Sequence, residues 1–269
     1  MSQRPLIPVA APVLNGNEKA YVNDCLDSTW ISALGPYVDR FERAFADFCG
    51  RRHGISTSNG TTALHLALVG MNLQPGDEVI VPTLTFIATA NTVAYCGARP
   101  VFVDADPRTW TMDPSAIEAR ITPRTRGIMP VHVYGHPADM DAVLDVARRY
   151  GLWVIEDGAQ AHGAACRGHR VGSMGNASTF SFAGNKTITA GEGGMVLTDD
   201  DEAAARMRML KAHGMDPARK YWFPEVGYNY RLTNVAAAIG LAQVERIDWH
   251  LERHLEVAAW YKELLAGVP

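Results

Sequence analysis

From residue 53 onward, short β-branched runs alternate with longer stretches of helical pattern. This alternation narrows the fold more than any other feature. HGISTS leads into NGTTALHLALVGM, and EVIVPT follows the turn QPGD. FIATANTVAYCG, RPVFVDA, PSAIEARI, RGIMPVHV, DMDAVLDVARRYG and LWVIED then read as helix, strand, helix, strand, helix and strand. ASTFSF and GGMVLTD add two strands. Near-continuous apolar strands between helices predict an α/β fold with a mostly parallel sheet covered on both faces. Gly70, Gly97 and Gly151 stand where C-terminal helix caps are wanted. Residues 201–213 read as helical, and 235–265 as one long amphipathic helix across the main domain rather than a coiled coil. A boundary at 235/236 leaves residues 1–235 as an N-terminal segment and large domain. Residues 236–269 then form a connecting helix and the start of a second domain. The chain stops abruptly at Gly267-Val268-Pro269, as though cut before that domain.

Composition removes several classes of function. The 269 residues are 47% hydrophobic and 20% charged with a net charge of −4, a soluble globular balance. No basic stripe suits nucleic acid and no polybasic segment suits an anionic membrane surface. Cys25, Cys49, Cys96 and Cys166 form no CxxC pair, so free thiols are expected rather than a disulfide frame or a metal site. MSQRPLIPVAAPVLNGNE is broken by three prolines and lacks a signal-peptide core. No later stretch is long enough to span a bilayer, and a cytoplasmic protein is the default.

In open α/β sheets ligands gather at the carboxyl ends of the strands. After HGISTS, the residues Asn59-Gly60-Thr61-Thr62 open a helix. Locally they read first as an N-cap. With unpaired amides, two hydroxyls and a glycine that admits close approach, they also suit a phosphate. Phe86, after EVIVPT, is either core or a flat face for a ring. Asp157 ends LWVIED, and a carboxylate leaving a buried strand needs a partner, either an ion pair or a cationic ring nitrogen. Strand alternation sends Glu156 to the other face, so only one of the two can serve. His162 alone is uninformative. Lys186, in FSFAGNKTITAGEGG, is either a solvated hairpin lysine or an amine poised to react with a carbonyl. A phosphate cradle, an aromatic plate, a carboxylate and a lysine at the ends of one sheet match the parts of pyridoxal 5′-phosphate. Neither a Walker A loop nor a GxGxxG fingerprint is present.

The segments TSNGTTALHLAL, GDEVIVPTLTFIATANTV, PVHVYGHPADMD, VIEDGAQAHGA, FSFAGNKTITAGEGG and GYNYRLTNVAAAIGLAQ carry a closer likeness. From about Ile7 to its end the chain resembles the DegT/DnrJ/EryC1/StrS family of pyridoxal-phosphate-dependent nucleotide-sugar aminotransferases. The resemblance implies the type I fold of such transferases, with a seven-stranded sheet. It implies that Lys186 bonds the cofactor aldehyde and shuttles a proton, and that Asp157 pairs with the pyridine nitrogen. It further implies Gln160 on the ring oxygen, Phe86 stacked on the ring, and Gly60, Thr61 and Ser181 on the phosphate. Asn229 would reach the phosphate in a neighbouring subunit, making a homodimer part of the site. Trp30 and Ser32 would lie near the sugar, and His162 would line the site. GNKTIT-GEGG with YWFPEVGYNYR most resembles members that aminate C4 of GDP-4-keto-6-deoxy-D-mannose with L-glutamate as donor. Another keto-sugar nucleotide, amination at C3, and a non-catalytic sensor or scaffold are the alternatives; a dehydratase is disfavoured by Lys186, which such relatives replace with histidine. The chain departs from the family at Ala190, where threonine is common. It also departs in stopping before the small C-terminal domain that helps shape the sugar-nucleotide pocket, so weak cofactor binding or inactivity is one expectation.

Overall fold

The computed structural model describes Pro8 and residues 10–268; the remaining N-terminal residues read above, and Pro269, lie outside it. Its seven-stranded sheet has the order β1-β9-β8-β5-β4-β2-β3. The strands are β1 (His53–Thr57), β2 (Glu78–Pro82), β3 (Arg99–Val103), β4 (Thr125–Ile128), β5 (Trp153–Asp157), β8 (Ala177–Ser181) and β9 (Gly194–Thr198). A two-residue ribbon, β6 (Ala165–Cys166) with β7 (His169–Arg170), stands apart. Strand β9 runs antiparallel to both its neighbours, and the β3-β2-β4-β5-β8 ladders are parallel. Strand β1 therefore points the same way as β8. The carboxyl ends of β1, β2, β4, β5 and β8 all lie on one edge of the sheet.

Helices cover both faces: α1 (Glu18–Asp27), α2 (Pro36–Cys49), α3 (Gly60–Gly70), α4 (Ala88–Tyr95), α5 (Met140–Tyr150), α6 (Asp201–Leu210), α7 (Asn234–Val244) and α8 (Ile247–Leu264). In α2, Tyr37, Phe41 and Phe45 recur every four residues and are buried. Phe41 and Phe45 meet Phe180 and Phe182 edge-on at 4.9–5.0 Å. Such pairs add about 0.5–1.5 kcal/mol each beyond area burial. A second core packs α3 and α6 on the sheet, and a third lies under α5.

Four local expectations are corrected. PSAIEARI forms two 3₁₀ turns, Pro114–Ala116 and Glu118–Arg120, instead of a helix. Eight residues offer few propagating bonds against the cost of nucleation, and one buried residue, Ile117, is their anchor. RGIMPVHV stops being strand after Ile128, because Pro130 has no N–H for the ladder. The stretch 235–265 is two helices, broken at Arg246 (φ −120°, ψ 15°). Helix α7 is buried against α1 and α2, while α8 buries only Ile247 and His250. The boundary drawn at 235/236 falls within the first turn of α7. Gly151 and Gly97 do adopt the left-handed cap conformation, but Gly70 is the last residue of α3, and Asn72 takes the positive φ instead. Gly70 serves packing: a Cβ there would sit 2.5 Å from Met207 of α6.

Candidate active site

The β1-α3 junction is built by its own sequence. Asn59 is extended, its Oδ1 accepts the Thr62 N–H at 2.9 Å, and Thr62 Oγ1 accepts the Asn59 N–H at 3.1 Å. This reciprocal cap uses the Thr62 N–H, while Ala63 N–H bonds Asn59 O. The N–H groups of Gly60 and Thr61 have no partner among the described residues. Ser181, at the end of β8, closes the other side. A Cβ on Gly60 would lie 2.7 Å from Ser181 Cβ. The result is a narrow cradle of free amides and hydroxyls at a helix N-terminus, the arrangement that binds phosphate.

Asp157 and Glu156 part at the end of β5, as alternation requires. Asp157 is buried on the face of α3 and α4. Its Oδ2 accepts from Thr89 Oγ1 at 2.8 Å and its Oδ1 from the Ala159 N–H at 3.2 Å. Burial pushes the Asp157 carboxyl up; Thr89, Ala159 and the charge of Lys186 oppose this. A cationic ring nitrogen beside it would favour the ionised form. Glu156 turns to the α5 face and takes no part in this cluster.

Lys186 lies in the loop joining β8 to β9, at the same edge of the sheet. The loop is tied back on itself by Phe182 N–H to Gly193 O (2.8 Å) and Ala190 N–H to Phe182 O (2.9 Å). Ile188 and Ala190 anchor it in the aromatic core, where a small residue fits position 190. Lys186 is half-buried. Burial pulls its ammonium below the ordinary lysine value, and the nearby Asp157 partly restores it. The apolar runs on either side are thus strands β8 and β9, and the lysine between them is held at the ligand edge.

Phe86 is 69% exposed and leaves its ring face uncovered. It borders a cavity of about 140 Å³ with Leu84, Val131, Val133, Tyr134 and Gln160. Gln160 Oε1 accepts the Tyr134 N–H at 2.8 Å, which leaves its amide N–H groups to donate elsewhere. Larger hollows of about 830 and 800 Å³ lie elsewhere on the surface, lined by neither Asp157 nor Lys186, so size does not mark the site.

The other sequence candidates are placed differently. His162 is 3% exposed, packed among Phe45, Phe180 and Phe182 at 5.3–6.0 Å, with neither ring nitrogen hydrogen-bonded among the described residues. Trp30 and Ser32 are exposed on a loop fastened to α7, where Asn234 donates to Trp30 O (2.7 Å) and Ser32 O (2.6 Å). Asn229 is exposed and accepts from Arg231 Nε at 3.1 Å. Its neighbour Tyr230 offers a carbonyl to Ser58 N–H at 2.8 Å, beside the phosphate cradle. Thr89 escaped the sequence reading: a threonine in an apolar helix announces nothing until its partner, far along the chain, is known.

A cradle of free amides at a helix N-terminus, a buried carboxylate, an exposed aromatic ring and a half-buried lysine whose ammonium is disfavoured by burial share one sheet edge, which defines a carbonyl-chemistry site of the pyridoxal-phosphate class. The model of the DegT/DnrJ/EryC1/StrS aminotransferase family matches residues 12–269, and the chain belongs to that family. It is a pyridoxal-phosphate-dependent aminotransferase. It is 61% identical over 266 residues to GDP-perosamine synthase of Caulobacter vibrioides, spanning 99% of this chain and 72% of that one. It is 52% identical over 257 residues to GDP-perosamine synthase of Escherichia coli O157:H7, spanning 96% and 71%. The fold matches S. venezuelae DesV, solved with a ketimine intermediate, with a TM-score of 0.89 and 43% identity over 94% of this chain and 68% of that one.

Proposed function

We propose that this protein transfers the amino group of L-glutamate to C4 of GDP-4-keto-6-deoxy-D-mannose, giving GDP-perosamine and 2-oxoglutarate. The carrying observation is the placement of Lys186 and Asp157 at one sheet edge, in a chain this similar to two GDP-perosamine synthases. Pyridoxal phosphate, when bound, supplies an electrophilic carbon and a ring that withdraws electrons.

The residues divide the work. Gly60 and Thr61 donate backbone N–H groups to the phosphate, with Ser181 beside them. Asp157, oriented by Thr89, holds a proton on the ring nitrogen. Gln160 donates its free amide N–H to the ring oxygen, and Phe86 covers one ring face. Lys186 Nζ holds the cofactor at rest. Once freed by the amino donor, its amine would accept the proton from the donor's α-carbon and hold it for return to the cofactor carbon that bore the aldehyde. Its depressed basicity suits both tasks, since the neutral amine is the reactive form. The same shuttle run backward delivers a proton to C4 of the sugar.

A homodimer completes the reading. Tyr221, Trp222, Phe223 and Val226 are exposed in the segment that leads to Asn229, large side chains suited to burial by a partner. Asn229 would then face the cofactor of the second subunit. Trp30 and Ser32 are the sugar-side contacts, and His162 supports the aromatic wall behind Lys186. We draw the catalytic domain through α7, which is buried against α1 and α2, with α8 following it. Among the described residues no helix is long and apolar enough to cross a membrane. The cysteines are unpaired, which suits a reducing compartment, and we assign the protein to the cytoplasm.

The test is incubation with pyridoxal phosphate, L-glutamate and the keto sugar nucleotide. One 2-oxoglutarate per sugar aminated at C4, with the product's position read by NMR, supports the proposal. Amination at C3, or acceptance of only a UDP or dTDP sugar, overturns the substrate assignment.

A further inference from the structure

PVHVYG leaves a fully buried histidine that the reaction above does not use. His132 lies in an irregular segment after β4, where Pro130 has ended the ladder. Its N–H donates to Asp157 O at 3.1 Å, and Pro130 O accepts the Asp157 N–H at 2.9 Å. Both backbone groups of Asp157 are therefore held by residues 130–132. Two residues further on, Tyr134, in a left-handed conformation (φ 50°), donates its N–H to Gln160 Oε1. One short, non-repetitive segment thus touches both proposed ring contacts. A segment outside regular strand geometry must be fixed by side-chain anchors.

The anchor is the His132 ring. Nδ1 accepts the Ala138 N–H at 3.0 Å, so the ring proton sits on Nε2. Nε2 then donates to Glu156 Oε2 at 3.2 Å. The Glu156 carboxylate is itself immobilised. It also accepts the N–H groups of Gly172 (2.9 Å), Met174 (2.8 Å) and Gly175 (2.7 Å). Arg51 lies 3.8 Å away and donates to the carbonyls of Gly172 and Gly175. Four donors on two oxygens fit only an ionised carboxylate. Burial raises the Glu156 carboxyl, but the His132 and backbone donors hold it below its ordinary value. Glu156 and Asp157 are consecutive on β5, so this clamp on the hidden face fixes the strand end that presents Asp157.

We propose that His132 is a positioning residue for the transamination: clamped between Glu156 and Ala138, it sets Asp157 and Gln160 against the cofactor ring. This rests on the reading that those two residues contact the ring. The test compares wild type, His132→Leu, His132→Gln and Asp157→Asn, each with added pyridoxal phosphate. A positive ring nitrogen disfavours a second positive charge at the Lys186 link. Loosening Asp157 relieves that repulsion, so the pH midpoint of the bound cofactor's visible band in the leucine variant should rise by about one unit, toward the Asp157→Asn value. Its kcat should fall about tenfold or more, as when outer partners of metal ligands are removed. KM for L-glutamate should stay within about twofold. Glutamine, which keeps a donor toward Glu156, should restore most of the midpoint and rate.

An unshifted midpoint and unchanged kcat in His132→Leu, with only a lower Tm, would mean a merely structural histidine. If the leucine variant does not fold, the glutamine variant and a ¹⁵N NMR spectrum of wild type decide. A proton on Nε2 with near-normal behaviour of the glutamine variant supports the proposal; a proton on Nδ1 overturns it. A wild type with no visible band refutes the cofactor reading itself. A normal wild-type band that is insensitive to His132→Leu refutes this inference alone.

Discussion

Thr89 Oγ1 donates to Asp157 Oδ2 at 2.8 Å, a buried bond between helix α4 and the end of strand β5. Bonds to charged groups contribute about 1.5–3 kcal/mol net. Thr89→Val should leave the cofactor bound but slow its reaction with L-glutamate about tenfold, a loss of about 1.4 kcal/mol. Thr89→Ser should retain most of the rate. Stopped-flow absorbance of the bound cofactor measures both, and a full rate in the valine variant would separate Thr89 from the work of Asp157.

Lys186→Ala removes both the cofactor attachment and the proton carrier. Turnover should drop by at least about 100-fold, the lower end for positioned proton transfer alone. The amine itself can be probed without cofactor, by the pH dependence of acylation at Lys186 followed by mass spectrometry. Half-reaction should occur below the pH typical of lysine, because burial disfavours the ammonium. In Asp157→Asn it should move lower still, since the carboxylate charge is what raises it. Movement upward would contradict the pairing.

Gly60→Ala places a methyl where Ser181 Cβ stands 2.7 Å away. The start of α3 must then shift from β8 and open the phosphate cradle. Cofactor affinity should weaken about tenfold, equal to about 1.4 kcal/mol. An absorbance titration with pyridoxal phosphate reads this directly, and an unaltered Kd would place the phosphate elsewhere.

His162 is held neutral: burial pushes it down to about 3, with Lys186 adding to the effect. Its folded value lies below the unfolded one of 6.5. On unfolding between these limits the chain takes up a proton. Stability is therefore unaffected above about pH 6.5 and is lost as pH falls toward 3, by up to about 1.4 kcal/mol per unit. His162→Phe should flatten this slope in urea melts at pH 5 and pH 7. Parallel slopes in both proteins would show that another group governs the acid side.

The sequence by itself determined the sheet and most of what gathers at its edge. Period-two alternation separated Asp157 from Glu156, and the Asn59-to-Thr62 spacing wrote its own cap. The strand-end rule alone assigns Gly60, Phe86, Asp157 and Lys186 to one edge. These signals are local, carried by residues within one or two turns of each other. Tertiary structure decided the rest. PSAIEARI has a helical pattern but too few bonds to sustain a helix, and the long stretch 235–265 breaks at Arg246 between a buried helix and an exposed one. Thr89 and His132 carry no local mark at all. Their meaning comes from Asp157 and Glu156, which lie 68 and 24 residues away in the chain and are brought within 2.8 and 3.2 Å only by the packing of α4 and the β4-β5 crossover against the sheet.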